Sequence, residues 1–141
     1  MAIVLFDTNI LNDNLAGHLA AANELAAYDD AVISSITWIE VACKMTPGEK
    51  LAFKAFLDGV GIRVAHPDDD IMERTATLRG NSIEHPPKIP VPDCIIRATA
   101  ESQGRIVITR NAADFGGEGP RVRVPYELSA GVVSNVKPIA L

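Results

Sequence analysis

Short apolar segments alternate along the chain with longer stretches in which apolar residues recur every three or four positions. The short segments predict strands at 2–6, 31–34, 61–65, 105–109 and 121–124. The longer stretches predict helices at 17–28, 35–45, 49–57, 68–79 and 93–103. Strands that alternate with helices in this way indicate an α/β domain with a mainly parallel sheet.

Two stretches depart from this alternation. Residues 81–92 contain four prolines and predict an ordered crossing loop. Residues 129–141 show no clear periodicity, and we interpret them as a mobile or partner-contacting appendage. We therefore expect one domain at 1–128 and a C-terminal tail at 129–141.

Composition narrows the class of protein. The 141 residues are 48% hydrophobic and 22% charged, which fits one globular domain with a real core. Because no basic segment precedes an apolar stretch and no apolar run approaches about 18 residues, we expect no signal peptide, no membrane contact and a cytoplasmic location. Cys43 and Cys94 lie in apolar helical segments, so both are predicted to be reduced core residues.

The formal net charge is −5, which excludes the broad basic surface of a protein that grips nucleic acid through many phosphates. A nucleic-acid site must therefore be local.

Four acidic side chains stand at the ends of apolar segments or within them. Asp7 follows the first strand, Asp114 comes shortly after the fourth, Glu40 lies inside an apolar helix, and Asp93 heads another helix. Acids seldom occupy such surroundings unless they are paired, hydrogen-bonded or metal-bound. Since function in parallel sheets collects at the carboxyl ends of the strands, we expect the four acids to converge on a hard cation.

Each acid also has a purely structural interpretation. Asp7 and Asp93 are good helix caps, Glu40 could pair with Lys44 four residues later, and Asp114 could form an Asx-turn. These alternatives stay open at this point.

Other candidate chemistry is weaker. The acids at 68–70 fit the first turn of a helix and are left out of the site. His18, His66 and His85 lack metal-ligand spacing and are predicted to lie on the surface. The chain has neither a glycine-rich phosphate loop nor a Gly-x-Ser-x-Gly elbow. Clustered carboxylates favour Mg²⁺ or Mn²⁺ and the hydrolysis of phosphodiesters.

Four motifs, taken in order, resemble those of PIN-domain ribonucleases, and specifically the VapC-type toxins of toxin-antitoxin pairs. They are Asp7-Thr8-Asn9 after an apolar strand, Ser34-Ser35 with Glu40 in the next helix, Asp93-Cys94-Ile95-Ile96-Arg97-Ala98-Thr99-Ala100, and Thr109-Arg110-Asn111 with Asp114-Phe115. The resemblance covers residues 1–128. It implies a PIN-like α/β fold, with a mainly parallel sheet of about five strands flanked by helices.

The resemblance also implies an activity and its partners. It implies a Mg²⁺ or Mn²⁺-dependent endoribonuclease that acts on RNA, is often a homodimer and is inhibited by a small antitoxin protein. Asp7, Glu40 and Asp93 match the three core acids, and Asp7 and Asp93 are expected to bind the metal ion directly. Many PIN domains carry a fourth acid where this chain has Asn111, so either Asn111 or Asp114 completes the catalytic set.

The predicted substrate contacts surround these acids. They are Thr8, Asn9, Thr109, Arg110 and Asn111, with Arg110 the nearest cation for developing phosphate charge. Arg121 and Arg123 either follow the RNA backbone or form a solvated edge strand. The helix at 36–45, with Phe53 and Phe56, forms either core or a groove for an antitoxin helix or a second toxin.

Two other functions compete with the ribonuclease. Because Asn111 carries no charge, a catalytically weak PIN-like domain that binds RNA or protein is conceivable. A receiver-like phosphorylation domain would also place Asp residues at strand ends, but the chain lacks an acid beside Asp7 and a lysine after the last strand.

Overall fold

A computed structural model of the chain describes residues 2–139, which form a five-stranded sheet, flanking helices and a C-terminal hairpin. The strands are β1 (Ile3–Phe6), β2 (Asp30–Ser34), β3 (Ile62–Ala65), β4 (Ile106–Ile108), β5 (Val122–Arg123), β6 (Glu127–Ser129) and β7 (Val132–Ser134). The helices are α1 (Thr8–Leu15), α2 (Leu19–Leu25), α3 (Ser35–Ala42), α4 (Pro47–Val60), α5 (Asp69–Glu84), α6 (Val91–Gln103) and a 3₁₀ helix at Ala112–Phe115.

The main sheet is parallel throughout, in the order β3-β2-β1-β4-β5. β1 is the central strand, and its residue Leu5 is in register with Val32 of β2 and Val107 of β4. From β1 the chain first builds outward to β2 and β3 and then returns to the other side of β1 at β4. The strand order therefore reverses between β1 and β4, which is where binding sites form in open α/β sheets.

Both faces of the sheet are covered by helices. Val4 and Phe6 contribute to the larger cluster, together with Leu25 of α2 and Phe53 of α4. Leu5 points to the opposite face and belongs to a smaller cluster on α6. Burial on both faces explains why β1 reads as a continuous apolar run rather than an alternating one.

All five predicted strands of the sheet are confirmed, but the proline-rich loop is shorter than expected. α5 passes through Gly80 and ends at Glu84, and α6 begins at Val91, two residues before Asp93. A glycine in an exposed helix costs only about 1 kcal/mol, so Gly80 does not end α5. The Ser82 hydroxyl accepts a hydrogen bond from the Ile89 amide (3.0 Å), which ties the end of α5 to the loop.

The C-terminal segment contains regular structure that its sequence did not indicate. β6 and β7 form an antiparallel hairpin, and the turn between them has positive φ at Ala130 (50°) and Gly131 (77°). Two consecutive positive φ values suit the tight turn of a hairpin. The predicted boundary at 128/129 therefore falls inside β6.

Helix α3 is less buried than its apolar sequence predicts. Thr37, Val41 and Ala42 are buried, but Ile39 is 55% exposed and Glu40 is also exposed. Cys94 is buried as predicted, whereas Cys43 is exposed, which corrects its assignment to the core. The cause is that α3 packs on the sheet along one stripe and leaves the opposite side to solvent.

Two deeply buried acids are neutralised by arginine and tyrosine side chains. Asp13 accepts hydrogen bonds from Arg110 (2.6 and 3.1 Å) and from the Tyr126 hydroxyl (2.7 Å). These three side chains join α1, the loop after β4 and the segment before β6.

The second buried acid joins another set of elements. Glu24 accepts hydrogen bonds from Arg123 (2.6 and 3.3 Å) and from the Tyr28 hydroxyl (2.8 Å). We call these two sets the buried ion-pair networks.

Candidate active site

Asp7 lies where β1 leaves the sheet, at the point where the strand order reverses. One carboxylate oxygen accepts a hydrogen bond from the Thr8 amide (2.8 Å) at the start of α1, and the Asp7 amide donates to the Ile108 carbonyl (2.9 Å). Asp7 is therefore the N-cap of α1, as one interpretation of the sequence proposed. The cap occupies one lone pair of one carboxylate oxygen.

The second Asp7 oxygen is held by two polar side chains. It accepts hydrogen bonds from the Thr109 hydroxyl (2.8 Å) and from the Asn9 amide group (3.3 Å). Thr109 is fully buried, and its oxygen also accepts from Asn9 (3.2 Å) and from the Asn111 amide (2.9 Å). Since Thr109 exposes no surface, its role is to position Asp7. Asn9 has the same role.

Glu40 is held at the site by the hydroxyl of Thr8, which donates to its carboxylate (2.8 Å). The Thr8 oxygen also lies 3.0 Å from the Thr37 oxygen, so a short hydroxyl chain fixes Glu40. No ion pair between Glu40 and Lys44 forms within residues 2–139. Thr37 is not among the predicted site residues, although its position one helical turn before Glu40 was a usable signal.

Asp93 and Asp114 are the other two acids at the carboxyl ends of the strands. Asp93 is the third residue of α6 and is half-buried, and Asp114 is exposed on the 3₁₀ helix. The Asn111 side chain donates to the Asp114 carboxylate (2.9 Å). The two candidates for the fourth position are thus in contact, and Asn111 orients Asp114. We call Asp7, Glu40, Asp93 and Asp114 the acidic mouth.

Burial and mutual repulsion perturb these carboxyl groups. Burial raises the pKa of Asp7 above its usual range, the hydrogen bonds from Thr109 and Thr8 oppose this, and the charges of Asp114 and Asp93 raise it further. Burial also raises the pKa of Asp93, and the charges of Asp114 and Glu40 add to that rise. The four acids therefore interact electrostatically as one cluster.

The chemistry of this cluster fits a hard divalent cation. Its donors are carboxylate oxygens, and none of the four forms an ion pair with lysine or arginine in the described part of the chain. No three side chains of His, Cys, Asp or Glu within residues 2–139 already converge closely enough to hold one ion.

The predicted cationic contacts are placed differently from expectation. The Arg110 guanidinium is bound to Asp13, so it is committed to a buried ion-pair network and not to the mouth. Arg123 is likewise bound to Glu24 and does not lie free along the edge strand. Arg121 is exposed. Of the five predicted substrate contacts, Asn111 alone is exposed, since the other four are half-buried or buried.

A family model for the PIN domain matches residues 4–115. Because this match spans most of the chain, the chain belongs to the PIN domain family. The resemblance inferred from the four motifs and the predicted PIN-like α/β fold are both confirmed. The receiver-like interpretation is wrong. No curated protein sequence matches the chain.

Solved structures refine the class. A toxin-antitoxin complex from Klebsiella pneumoniae contains a chain with 35% identity and a TM-score of 0.72, and the match covers 89% of this chain and 99% of that one. DNA-bound VapBC from Salmonella typhimurium matches with 25% identity and a TM-score of 0.67, over 87% and 96% of the two chains. FitAcB from Neisseria gonorrhoeae, at 23% identity, a TM-score of 0.63 and coverage of 81% and 91%, supports the fold alone.

In structure the chain is thus similar to the VapC-type PIN domains of toxin-antitoxin systems. PIN domains of this type are generally nucleases that use a divalent metal ion. No helix within residues 2–139 is long and apolar enough to cross a lipid bilayer.

Proposed function

We propose that the protein is a Mg²⁺ or Mn²⁺-dependent endoribonuclease and the toxin of a toxin-antitoxin pair. The observation that carries this proposal is the acidic mouth. Four carboxylates that lack cationic partners meet at the switch point of a parallel sheet, and Asp7 and Asp93 both have raised pKa values there. Such an arrangement is costly unless a metal ion neutralises it.

Asp7 and Asp93 are the residues that would hold the metal ion directly, as the two half-buried members of the set. When bound, a divalent ion supplies Lewis-acid stabilisation of phosphoryl charge and lowers the pKa of bound water. Thr109 and Asn9 hold the Asp7 carboxylate in one orientation. A preoriented ligand loses little conformational freedom when an ion binds.

Glu40 and Asp114 are the exposed acids and are suited to contact water. The Thr8 hydroxyl occupies one Glu40 oxygen and leaves the other free to accept a proton or hydrogen bond from the attacking water. Asn111 holds Asp114 in the same way. Thr8 and Asn111 therefore act by positioning these carboxylates.

RNA bound at this site is single-stranded or looped. The mouth lies at the carboxyl ends of the strands and is flanked by α3, α6 and the 3₁₀ helix. A phosphodiester therefore reaches it only when the neighbouring bases are not paired in a duplex.

An apolar groove beside α3 is suited to an antitoxin helix. A cavity of about 800 Å³ is lined by Trp38, Ile39, Leu57, Ile62 and Val64, with Lys54 and Arg63 at its rim. Phe53 is buried in the core, which is one of the two placements expected for it. Apolar lining with charged rims fits an amphipathic helix. Solved relatives of this fold are toxin-antitoxin complexes, which supports an antitoxin as the partner, and a homodimer is proposed on the family resemblance.

The decisive test is RNA cleavage by the purified chain after removal of any co-purified partner. Labelled RNA with single-stranded loops would be incubated with Mg²⁺ or Mn²⁺, with and without EDTA. Asp7→Asn and Glu40→Gln should each lower the cleavage rate by at least about 100-fold, because each removes a charge used in the transition state. Asp58→Asn, at an exposed acid of α4, is the matched control and should retain the wild-type rate.

Cleavage that survives both EDTA and Asp7→Asn would refute the metal-carboxylate mechanism. The uncharged Asn111 favours one alternative, a PIN domain that binds RNA or protein without cutting. Folded protein that binds Mn²⁺ and RNA but leaves all tested RNAs intact would support that alternative.

A further inference from the structure

A second groove lies beside the acidic mouth and is rich in arginine. It has a volume of about 310 Å³ and runs between α6 and the edge formed by β4 and β5. Its lining includes Arg74, Arg97, Arg105, Arg121, Glu101 and Phe115. Four of them are arginines and one is an acid, in a chain whose net charge is −5.

The groove begins at the mouth. Arg97 follows Asp93 by four residues on α6 and so lies on the same helix face, about 6 Å further along the axis. Its guanidinium also lies against the loop after Asp114, because a Cβ built at Gly116 would be 3.6 Å from Nη2. Phe115 adjoins Asp114 and is half-buried in the same wall. Arg97 and Phe115 therefore mark the end of the groove nearest to the acids.

The groove then follows the edge strand away from the mouth. The Arg121 carbonyl accepts a hydrogen bond from the Val107 amide (2.9 Å), which places Arg121 beside the first half of β4. Gly104, the C-cap of α6, lines the groove at the same end as Arg121. From Arg97 to Gly104 the chain spans about 10 Å along the helix axis, so the groove is long enough for about two consecutive phosphates.

The arginines of the groove differ in how strongly other protein groups bind them. Arg105 is 8% exposed and pairs with Asp30 (2.8 Å), so it is structural. Arg97 pairs with Glu101 (3.2 Å) through an exposed i,i+4 contact, which is weak and can be displaced by a phosphate. Arg121 forms no ion pair or side-chain hydrogen bond within residues 2–139 and is exposed.

We propose that this groove is the binding site for the single-stranded RNA backbone next to the scissile phosphate, with Arg97 and Arg121 contacting phosphates and Phe115 stacking on a base. The proposal rests on the proposed function for the identity of the ligand. An acidic mouth repels RNA, so a local basic site has to supply the attraction that the overall charge does not. Arginines along a groove with an aromatic side chain are the features that bind single strands without sequence preference.

The test measures RNA binding by the full chain made inactive with Asp7→Asn. A labelled single-stranded RNA oligonucleotide would be titrated by fluorescence anisotropy at several salt concentrations. Arg97→Gln and Arg121→Gln should each weaken binding about threefold to tenfold and reduce the slope of log K against log salt by about 0.7, as one phosphate contact does.

Two further variants control for charge and folding. Lys50→Gln removes a cation from α4, which packs near β3 at the opposite edge of the sheet, and should leave affinity and slope unchanged. Phe115→Leu keeps the apolar packing but loses the ring, and should weaken binding about fivefold or more, whereas Phe115→Tyr should retain it.

The outcomes separate this groove from the proposed activity. Cleavage by the wild type, together with Arg97→Gln and Arg121→Gln variants that bind RNA as tightly as Lys50→Gln, would overturn the groove and leave the activity standing. Absence of cleavage together with loss of RNA binding in both variants would support the groove and refute the activity. Absence of any RNA binding by the Asp7→Asn chain would overturn the groove.

Discussion

The acidic mouth and the buried ion-pair networks both contain acidic side chains, but the acids have different roles in the two regions. Asp13 and Glu24 are only 4% and 2% exposed, and each is bound by one arginine and one tyrosine. The acids of the mouth are more exposed, yet they lack a cationic partner within residues 2–139. In this fold the most deeply buried acids are therefore structural. Missing neutralisation, rather than burial, distinguishes the site.

The difference has an energetic basis. Burying a carboxylate is tolerable when a cation and hydrogen bonds compensate for lost hydration, as in the networks. Burial raises the pKa of Tyr126, and the hydrogen bond to Asp13 raises it further, so the phenol stays protonated and serves as a donor. In the mouth the repulsion among acids is not compensated by protein groups. It is available to be relieved by a bound cation.

Breaking a buried network should have the largest effect on stability. Asp13→Ala leaves Arg110 and the buried Tyr126 hydroxyl without their acceptor, and should lower the free energy of unfolding by about 3 kcal/mol. The measurement is urea denaturation, with a lower midpoint and an unchanged m value.

The matched control is Asp58→Ala at an exposed position, which should change stability by less than about 0.5 kcal/mol. Asp13→Ala protein that is still folded should cleave RNA at the wild-type rate. A loss of rate in the folded fraction would mean that Asp13 belongs to the site and is not purely structural.

The sequence predicted the sheet and the acids of the mouth because both depend on local patterns. Apolar runs of strand length defined the five strands, and Asp7 and Asp114 could be placed at strand ends from chain position alone. The helix N-cap at Asp7 was also visible, and the structure shows that capping and a place in the mouth coexist.

Side-chain partners over long sequence separations could not be predicted. Arg110 follows the strand-end Thr109 and was assigned to phosphate, but Asp13 lies 97 residues earlier and captures it. Arg123 was expected either to follow the RNA backbone or to stand in a solvated edge strand, and it instead pairs with Glu24, 99 residues earlier. No periodicity encodes such pairs, because they depend on how α1 and α2 return to the edge of the sheet. Arg97 was not among the predicted RNA contacts for the same reason, whereas contact with the RNA backbone was one of the two roles expected of Arg121.

The pH dependence of stability tests whether the charge of Asp7 is uncompensated, and the expected change in stability is smaller than that of Asp13→Ala. Because the pKa of Asp7 is raised in the folded protein, the folded chain holds more protons than the unfolded chain at pH values between the ordinary pKa near 3.8 and the raised one. In that window the free energy of unfolding must fall as the pH rises. Above it, the full cost of the charged carboxylate remains.

The measurement compares wild type and Asp7→Asn without metal from pH 4 upward by denaturant titration. The free energy of unfolding of wild type should fall relative to the variant as pH rises, and Mn²⁺ should restore it in wild type. The variant's fixed offset from altered hydrogen bonds cancels in this slope. Parallel curves for the two proteins would show that Asp7 is not electrostatically strained.

The smallest effect is expected from adding a fifth carboxylate to the mouth. Asn111→Asp places a charge beside Asp114, the contact through which Asn111 now donates at 2.9 Å. Because both positions are exposed and screened, the metal-free protein should lose only about 0.5 kcal/mol of stability. Its affinity for Mn²⁺ should rise about threefold to tenfold, since an additional hard anionic ligand favours the cation. Titration calorimetry measures the affinity, and thermal unfolding measures the stability.

Asn23→Asp is the matched control, because Asn23 is exposed on α2, which leads to the opposite end of the sheet. Equal Mn²⁺ affinities for the two variants would exclude position 111 from the metal site and leave Asp114 as its fourth acid.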